Sequence, residues 1–283
     1  INMKFIVLLL AALLQRQTKK QGYQRNRAWF TRLASPFNVM EGGLSKQVLV
    51  FSLLVLLPSA LLMLLMINLT GFTGGVISMV IQVAVLLYVL GRDDFSLRFE
   101  SYKNCWKNED YQGAYHCAQQ FLNLHNQTPD QTPFQLHQSV RRAMVYVWFV
   151  RFFVFVFWFL ALGIAGAFAC LMSYWFYREY RLPWVKSLLE ALEWLPARLM
   201  AFSFALAGDF TRSFSVALKF ALNFSSDSKT VLMQTLEKVE ALDEDTFNCE
   251  TARDSLEEVN KLMYRCAILW LLVVGVLTIF GAF

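Results

Sequence analysis

Charged residues are scarce in this sequence. Only 17% of its 283 residues are Asp, Glu, Lys or Arg, whereas 57% are hydrophobic and the mean hydropathy is +0.41. A soluble domain carries about a quarter charged residues. The shortage argues against an ordinary soluble protein. It predicts an all-α, polytopic membrane protein that forms one integral domain over residues 1–283.

The signatures of common enzyme classes are missing as well. The chain has no G-x-x-x-x-G-K-[ST], no G-x-S-x-G, no H-E-x-x-H and no C-x-x-C. A phosphate-binding loop, a serine-hydrolase elbow, a zinc-protease helix and a redox motif are therefore not indicated. We expect no cofactor, we assign no catalytic residue, and the sequence leaves open whether the protein is an enzyme.

Cysteine and histidine do not form a recognisable metal or disulfide pattern. The five cysteines have no regular spacing, which argues against a disulfide framework. The three histidines match no common ligand spacing, so we expect no metal and interpret them as unpaired surface residues. The cysteines are Cys105, Cys117, Cys170, Cys249 and Cys266, and the histidines are His116, His125 and His137.

Long apolar runs are abundant instead. The run 143–172 contains a single charged residue, Arg151. About 20 apolar residues cross the hydrocarbon core of a bilayer, so this run predicts a span. Small residues at 162–167 allow another helix to approach closely. Further spans are predicted at 3–14 (a short one), 48–69, 76–90 and 267–283, with a tight turn over 70–75.

Basic residues are concentrated in residues 15–46, which hold seven Lys or Arg and one acid, Glu41. This excess places the segment in the cytoplasm. Because it adjoins a span, we expect contact with anionic lipid and no nucleic-acid binding. Two predicted spans separate this segment from the polar insert 92–140. We therefore expect the insert to lie on the cytoplasmic side as well.

The polar insert has aromatic residues at steps of three or four, which predicts two short amphipathic helices at the cytoplasmic face, broken at Pro129 and Pro133. One face should be buried and the other solvated. We expect Phe99, Tyr102, Trp106 and Tyr115 to be buried and Lys103, Lys107 and Glu109 to lie in solvent.

The chain after the central span is less apolar. Residues 184–224 predict amphipathic or re-entrant helices broken at Pro196 and Gly208, and residues 225–265 predict a polar, acidic helical segment. The mixed charge of residues 173–265 does not predict on which side of the membrane they lie. The sequence also leaves open whether 3–14 and 199–207 cross the membrane.

Arg151 allows two interpretations. Its side chain either extends to the headgroups or pairs with an acid inside the protein. Asp93, Asp94 and Glu193 are candidate partners, and we prefer Glu193, because a helix break at Pro196 would hold it at a helix end. The residues expected to line a polar pocket are Arg92, Asp94, Arg151, Glu193 and Arg198. Simple anchoring at the membrane surface is the alternative for the last two.

Four motifs give the chain a family resemblance. They are G-R-D-D at 91–94, W-x-x-x-D-x-x-x-A-Y at 106–115, R-x-x-x-x-x-F-W-F-x-x-x-G-x-x-G at 151–166, and L-E-W-L-P-A-R-L at 192–199 followed by F-A-L-A-G-D-F. With them the sequence resembles the AmpE family of bacterial inner-membrane proteins. The resemblance implies a multi-pass regulator or sensor associated with β-lactamase induction and cell-wall signalling. A small-molecule ligand or a protein partner would bind at the insert.

The P-A-R-L turn at 196–199 is also similar, more distantly, to the CobD/CbiB membrane enzymes of cobalamin synthesis. Those enzymes carry an A-x-x-E-x-x-x-E-N pattern before the central span, whereas this chain has R-R-A-M-V-Y-V-W-F-V-R there. The likeness therefore implies a shared fold and argues against shared chemistry. The alternative function is a membrane-bound enzyme of that fold with a changed substrate and a polar pocket at the membrane face.

Overall fold

The computed structural model describes residues 3–17, 28–37, 42–69, 71–91, 95–122, 132–208, 214–215, 218–220, 226–239 and 242–280. Every regular element within these ranges is a helix, which confirms the all-α prediction. The helices are α1 (Met3–Gln17), α2 (Ala28–Ala34), α3 (Leu44–Phe51), α4 (Leu57–Asn68), α5 (Gly71–Val89), α6 (Phe95–Lys107), α7 (Tyr111–Leu122), α8 (Pro133–Trp148), α9 (Phe155–Tyr180), α10 (Pro183–Ala207), α11 (Ser228–Val239) and α12 (Cys249–Ile279).

Among the described residues, three helical stretches have the length and apolar composition to cross a bilayer: Leu44–Asn68, Pro133–Tyr180 and Cys249–Ile279. The chain is therefore a helical membrane protein. Two shorter apolar helical stretches are Lys4–Leu14 and Gly74–Val89. Residues 249–265 of the predicted acidic segment and residues 267–279 of the last apolar run, which the sequence separates, lie in the single helix α12.

The first long stretch contains a π-helical segment, Ser52–Leu56, between α3 and α4. Pro58 lies two residues after its end, in the first turn of α4. Proline has no N–H, and its ring clashes with the carbonyl group four residues earlier. A wider π turn relieves this crowding without ending the helix. The proline therefore changes the helix locally and leaves it continuous.

The central stretch joins α8 to α9 through a second π segment, Phe149–Val154. It begins with a capping box: the Thr132 hydroxyl accepts from the Gln135 N–H at 3.3 Å, and Gln135 Oε1 accepts from the Thr132 N–H at 3.4 Å. Pro133 occupies the first turn, where its missing N–H costs no hydrogen bond. This proline thus starts a helix.

Several boundaries differ from those that the sequence suggests. Helix α5 begins at Gly71, within the predicted turn, and Thr70 lies outside the described residues. Helices α6 and α7 separate at 108–110, ahead of either proline. Helix α10 continues through Pro196 and ends just before Gly208. A proline inside a helix is tolerated when surrounding groups satisfy the freed carbonyl, and composition does not reveal those groups.

The chain divides into two compact units. The first unit comprises Ile1–Gly91, Phe152–Glu193 and Leu271–Phe283, and the second comprises Arg92–Arg151 and Trp194–Trp270. In the first unit, α9 packs on α4 and α5, and α5 packs on α1. In the second unit, α7 packs on α6 and α8, and α8 packs on α11. The expectation of one integral membrane domain stays a prediction.

Gly163 interrupts α9 with a backbone conformation of φ 72° and ψ −165°. Only glycine adopts this region without strain. A Cβ atom at this position would meet no heavy atom within 4 Å, so any cost of a side chain is conformational.

We therefore expect Gly163→Ala to lower the free energy of unfolding by about 1–3 kcal/mol, the cost of holding a non-glycine residue in such a conformation. Thermal unfolding of the purified protein in detergent measures this. The matched control is Gly75→Ala in α5, where a Cβ atom also meets open space. This control should be neutral or slightly stabilising, because alanine favours a helix. Equal stability of Gly163→Ala and Gly75→Ala would contradict the conclusion that position 163 holds a backbone conformation that only glycine adopts without strain.

Candidate functional site

A chain of buried polar side chains connects three helices in the second unit. His137 on α8 and Tyr102 on α6 are fully buried, and Ser255 on α12 is 8% exposed. The Tyr102 hydroxyl lies 3.1 Å from His137 Nδ1, and His137 Nε2 lies 2.8 Å from Ser255 Oγ. Because 35 and 118 residues separate the paired residues, these contacts fix α6 and the start of α12 against α8.

The hydrogen-bond partners of His137 favour the tautomer with the proton on Nε2. Ser255 donates its hydroxyl to the Ala252 carbonyl at 2.9 Å, so its oxygen accepts the His137 Nε2–H. Nδ1 of the neutral ring then accepts the Tyr102 hydroxyl. Each of the three side chains thereby has a partner for its proton. The arrangement satisfies buried polar groups, which is the condition under which a protein tolerates them.

Aromatic rings surround this imidazole. Trp106 lies edge-on to His137 with ring centres 5.5 Å apart, and the Phe247 ring lies 5.4 Å away. Phe134 in turn packs edge-on to Phe247, with ring centres 5.5 Å apart. Burial among these groups raises the pKa of Tyr102 well above its ordinary value.

The histidine cluster (Tyr102, His137 and Ser255) is unsuited to nucleophilic catalysis. A serine nucleophile needs an unprotonated ring nitrogen to accept its proton. In the tautomer that the partners favour, Nε2 carries the proton and the serine donates to a main-chain carbonyl, so the serine is not activated. The cluster instead holds the polar insert in one conformation.

The interpretation of the histidines as unpaired surface residues is wrong for His137. His116 is exposed, and His125 lies outside the described residues. A signal in the sequence does exist: Val140 and Met144, three and seven residues after His137, are buried with it on one face of α8. The partner serine lies too far along the chain for any local pattern to indicate it.

The expectations for the insert are met in part. Tyr102 and Trp106 are buried as expected, and Lys107 and Glu109 are exposed. Phe99 and Tyr115 are half-buried. Lys103 is also half-buried, because its ammonium group forms an ion pair with the carboxylate of Glu257 at 2.6 Å.

The residues of the predicted polar pocket have different surroundings. Arg92 and Asp94, with the alternative partner Asp93, lie outside the described residues. Arg151 lies in the π segment after α8 and is half-buried. The pairing of Arg151 with Glu193 and the common pocket stay predictions. Two members, Glu193 and Arg198, have side chains that the structure describes in detail.

Glu193, in the first unit, is 4% exposed. One of its carboxyl oxygens accepts the hydroxyl of Tyr174 on α9 at 2.5 Å. The neighbouring Leu192 carbonyl accepts the Trp158 indole N–H at 3.1 Å. Two aromatic donors from α9 therefore hold this part of α10, and Glu193 is a buried, hydrogen-bonded acid within a continuous helix.

Arg198, in the second unit, is also 4% exposed. Its guanidinium group lies 4.0 Å from the centre of the Trp194 ring and donates to the Trp194 carbonyl at 3.0 Å. A second nitrogen donates to the Ser226 carbonyl at 3.4 Å. Stacking on an aromatic face and donation to carbonyl groups are ordinary ways to stabilise a buried arginine. Arg198 thus fastens α10 to the segment before α11.

No group of three or more His, Cys, Asp or Glu side chains in the described parts of the chain is arranged to hold a metal ion. The histidine cluster, Glu193 and Arg198 are the candidate buried polar groups for a site. The contacts described above for Glu193 and Arg198 are to a hydroxyl group, to carbonyl groups and to an aromatic ring.

Comparison with known proteins identifies the family. The family model described as "Regulatory signalling modulator protein AmpE" matches residues 3–283. The chain belongs to the AmpE family. Searches of curated proteins and of solved structures found no significant match. The comparisons do not show the likeness of this AmpE-family chain to the CobD/CbiB enzymes, which stays a prediction from the P-A-R-L turn at 196–199.

Replacing Ser255 tests the histidine cluster. We expect Ser255→Ala to lower the free energy of unfolding by about 1–3 kcal/mol, because it leaves the buried Nε2–H of His137 without its acceptor. Thermal unfolding in detergent measures the change. The matched control is Ser139→Ala on α8, because the Ser139 hydroxyl bonds only to a carbonyl of its own helix turn, that of Gln135 at 3.0 Å. A loss no greater than that of the control would refute the role given to the cluster.

Proposed function

We propose that this protein is a multi-pass regulator in the bacterial inner membrane that modulates β-lactamase induction as part of cell-wall signalling. The observation that carries the proposal is the family match over residues 3–283. Membership of a family of regulatory signalling modulators supports a regulatory role. The specific pathway, the membrane and the partner are what we propose in addition.

The insert is the part of the chain that we propose contacts a protein partner or a small-molecule ligand. Glu100, Asn104 and Lys107 recur at steps of four and three residues and form one exposed stripe along α6. The same helix buries Tyr102 and Trp106 on its other face. A polar surface held by a fixed, buried face is suited to specific recognition, because little conformational entropy is lost when a partner binds.

We further propose that the insert faces the cytoplasm. The seven basic residues of segment 15–46 support this placement, because cytoplasmic loops are enriched in Lys and Arg. Segment 15–46 lies partly outside the described residues, as do two positions suited to labelling, Arg25 and Gln131. The exposed residue Gln112 at the start of α7 serves instead.

A Gln112→Cys variant should resist a maleimide that cannot cross membranes when it is added to intact spheroplasts. It should react fully once the membrane is permeabilised. The variant is made in a background in which the three partly exposed cysteines, Cys105, Cys117 and Cys249, are serine. That background without the new cysteine is the control for labelling. Strong labelling in intact spheroplasts would place the insert on the outer side.

Induction is tested in a bacterium that carries this gene and an inducible β-lactamase. Deleting the gene should change the β-lactamase activity that follows exposure to a β-lactam, and the wild-type gene should restore the parental response. A gene in which the charges of the stripe are reversed by Glu100→Lys and Lys107→Glu should not fully restore the induction of β-lactamase in the deletion strain. The variant's amount in the membrane should stay normal, because surface charges contribute little to stability.

The matched control for this experiment is Lys186→Glu, a charge reversal at an exposed position on α10 outside the insert. It should restore induction as the wild type does. An unchanged response after gene deletion would refute the proposed pathway. Full restoration of induction by the Glu100→Lys, Lys107→Glu variant would refute the proposal that the exposed stripe of α6 contacts a partner or ligand.

The alternative function, a membrane-bound enzyme with a changed substrate, draws support from Glu193 and Arg198. Both are charged residues that are 4% exposed, and buried charges in membrane proteins are often functional. Mass spectrometry of molecules that copurify with the protein separates the two functions. A bound metabolite that the protein converts would favour the enzyme.

A further inference from the structure

Helices α6 and α7 form a hairpin with a very short connection. Residues 108–110 join them, and Glu109 adopts a left-handed conformation with φ 56°. The Asp110 carboxylate accepts the N–H of Gly113 at 2.8 Å at the start of α7. A connection of this length forces the helices to lie side by side. It therefore fixes which residues of α6 face which residues of α7.

Two cysteines meet across this hairpin. Cys105 Sγ lies 3.7 Å from Cys117 Sγ, which is van der Waals contact. Both side chains are partly exposed, so a small reagent can reach them. Cys170 and Cys266 are buried in other helices, and Cys249 Sγ lies 3.0 Å from the Tyr111 hydroxyl. Two thiols in contact at an accessible place are the arrangement from which a disulfide forms.

We propose that Cys105 and Cys117 form a site of reversible oxidation, at which a small-molecule disulfide such as oxidised glutathione converts the two thiols into a disulfide. The sulfur atoms must approach from 3.7 Å to about 2.05 Å, which side-chain rotation and a small adjustment of the hairpin can supply.

The reaction proceeds by two exchanges. The thiolate of one cysteine attacks a sulfur of the reagent, breaks its S–S bond and releases one glutathione thiol. The second cysteine then attacks the mixed disulfide, forms the Cys105–Cys117 bond and releases the second glutathione thiol. The two cysteines lose two electrons and two protons, and the reagent gains both. Excess reduced thiol reverses every step.

The surroundings of Cys105 affect the rate at which it attacks the reagent. Burial and the neighbouring Cys117 thiol raise the pKa of Cys105 to about 11. The thiolate is the attacking species, so Cys105 attacks slowly at neutral pH. A disulfide between these residues would cross-link the helix that carries the exposed stripe of Glu100, Asn104 and Lys107 to α7.

The test uses the full chain purified in detergent, incubated with oxidised glutathione, trapped by alkylation and digested for mass spectrometry. We expect a peptide pair linked through Cys105 and Cys117, with the loss of two hydrogen atoms, and its disappearance after reduction. In Cys105→Ser and in Cys117→Ser, the remaining thiol should instead retain a glutathione adduct. The control Cys249→Ser should form the 105–117 link to the same extent as the wild type.

The wild-type measurement decides the outcome even if a variant fails to fold. Absence of the 105–117 link overturns the proposal, whether both thiols stay reduced or each carries its own glutathione. A glutathione adduct on Cys249 in the same sample shows that the reagent was active.

Discussion

A backbone N–H or C=O group in hydrocarbon must find its hydrogen-bond partner within the protein, and the rest of this structure depends on that constraint. A helix meets the constraint locally, because each N–H reaches the carbonyl four residues earlier. This explains why a chain with 57% hydrophobic residues forms only helices over the ranges that the structure describes. The need for these hydrogen bonds also explains why the helices pass through the π segments Ser52–Leu56 and Phe149–Val154 without ending there.

The same constraint governs polar side chains once the helices pack. His137 is fully buried and has hydroxyl partners on both ring nitrogens. Thr235, also fully buried, bonds to the Val231 carbonyl of its own helix at 2.8 Å. The threonine needs no other helix, whereas the histidine requires two. Buried polar groups of the second kind determine which helices must lie together, because a wrong pairing leaves them unsatisfied.

Properties that depend on neighbouring residues could be predicted from the sequence. The apolar runs give the membrane-protein class, and the spacing of Tyr102 and Trp106 gives the buried face of α6. The effect of proline could not be predicted in the same way. Pro133 begins a helix because Thr132 and Gln135 cap it, whereas Pro196 lies inside one. Composition alone does not distinguish these cases, because the outcome depends on groups that satisfy the freed carbonyl.

Contacts between residues that lie far apart in the sequence could not be predicted from it. Ser255 lies 118 residues from His137, and Glu257 lies on the same helix opposite Lys103 of α6. An isolated serine or glutamate in a polar segment carries no sign of such a partner. The residues of the insert are of two kinds, which differ in whether they make such contacts. Residues such as His137 determine its shape, and residues such as Lys107 present its surface. Because the shape must be fixed before a surface can be recognised, changes of the first kind should act through stability and changes of the second kind through binding alone.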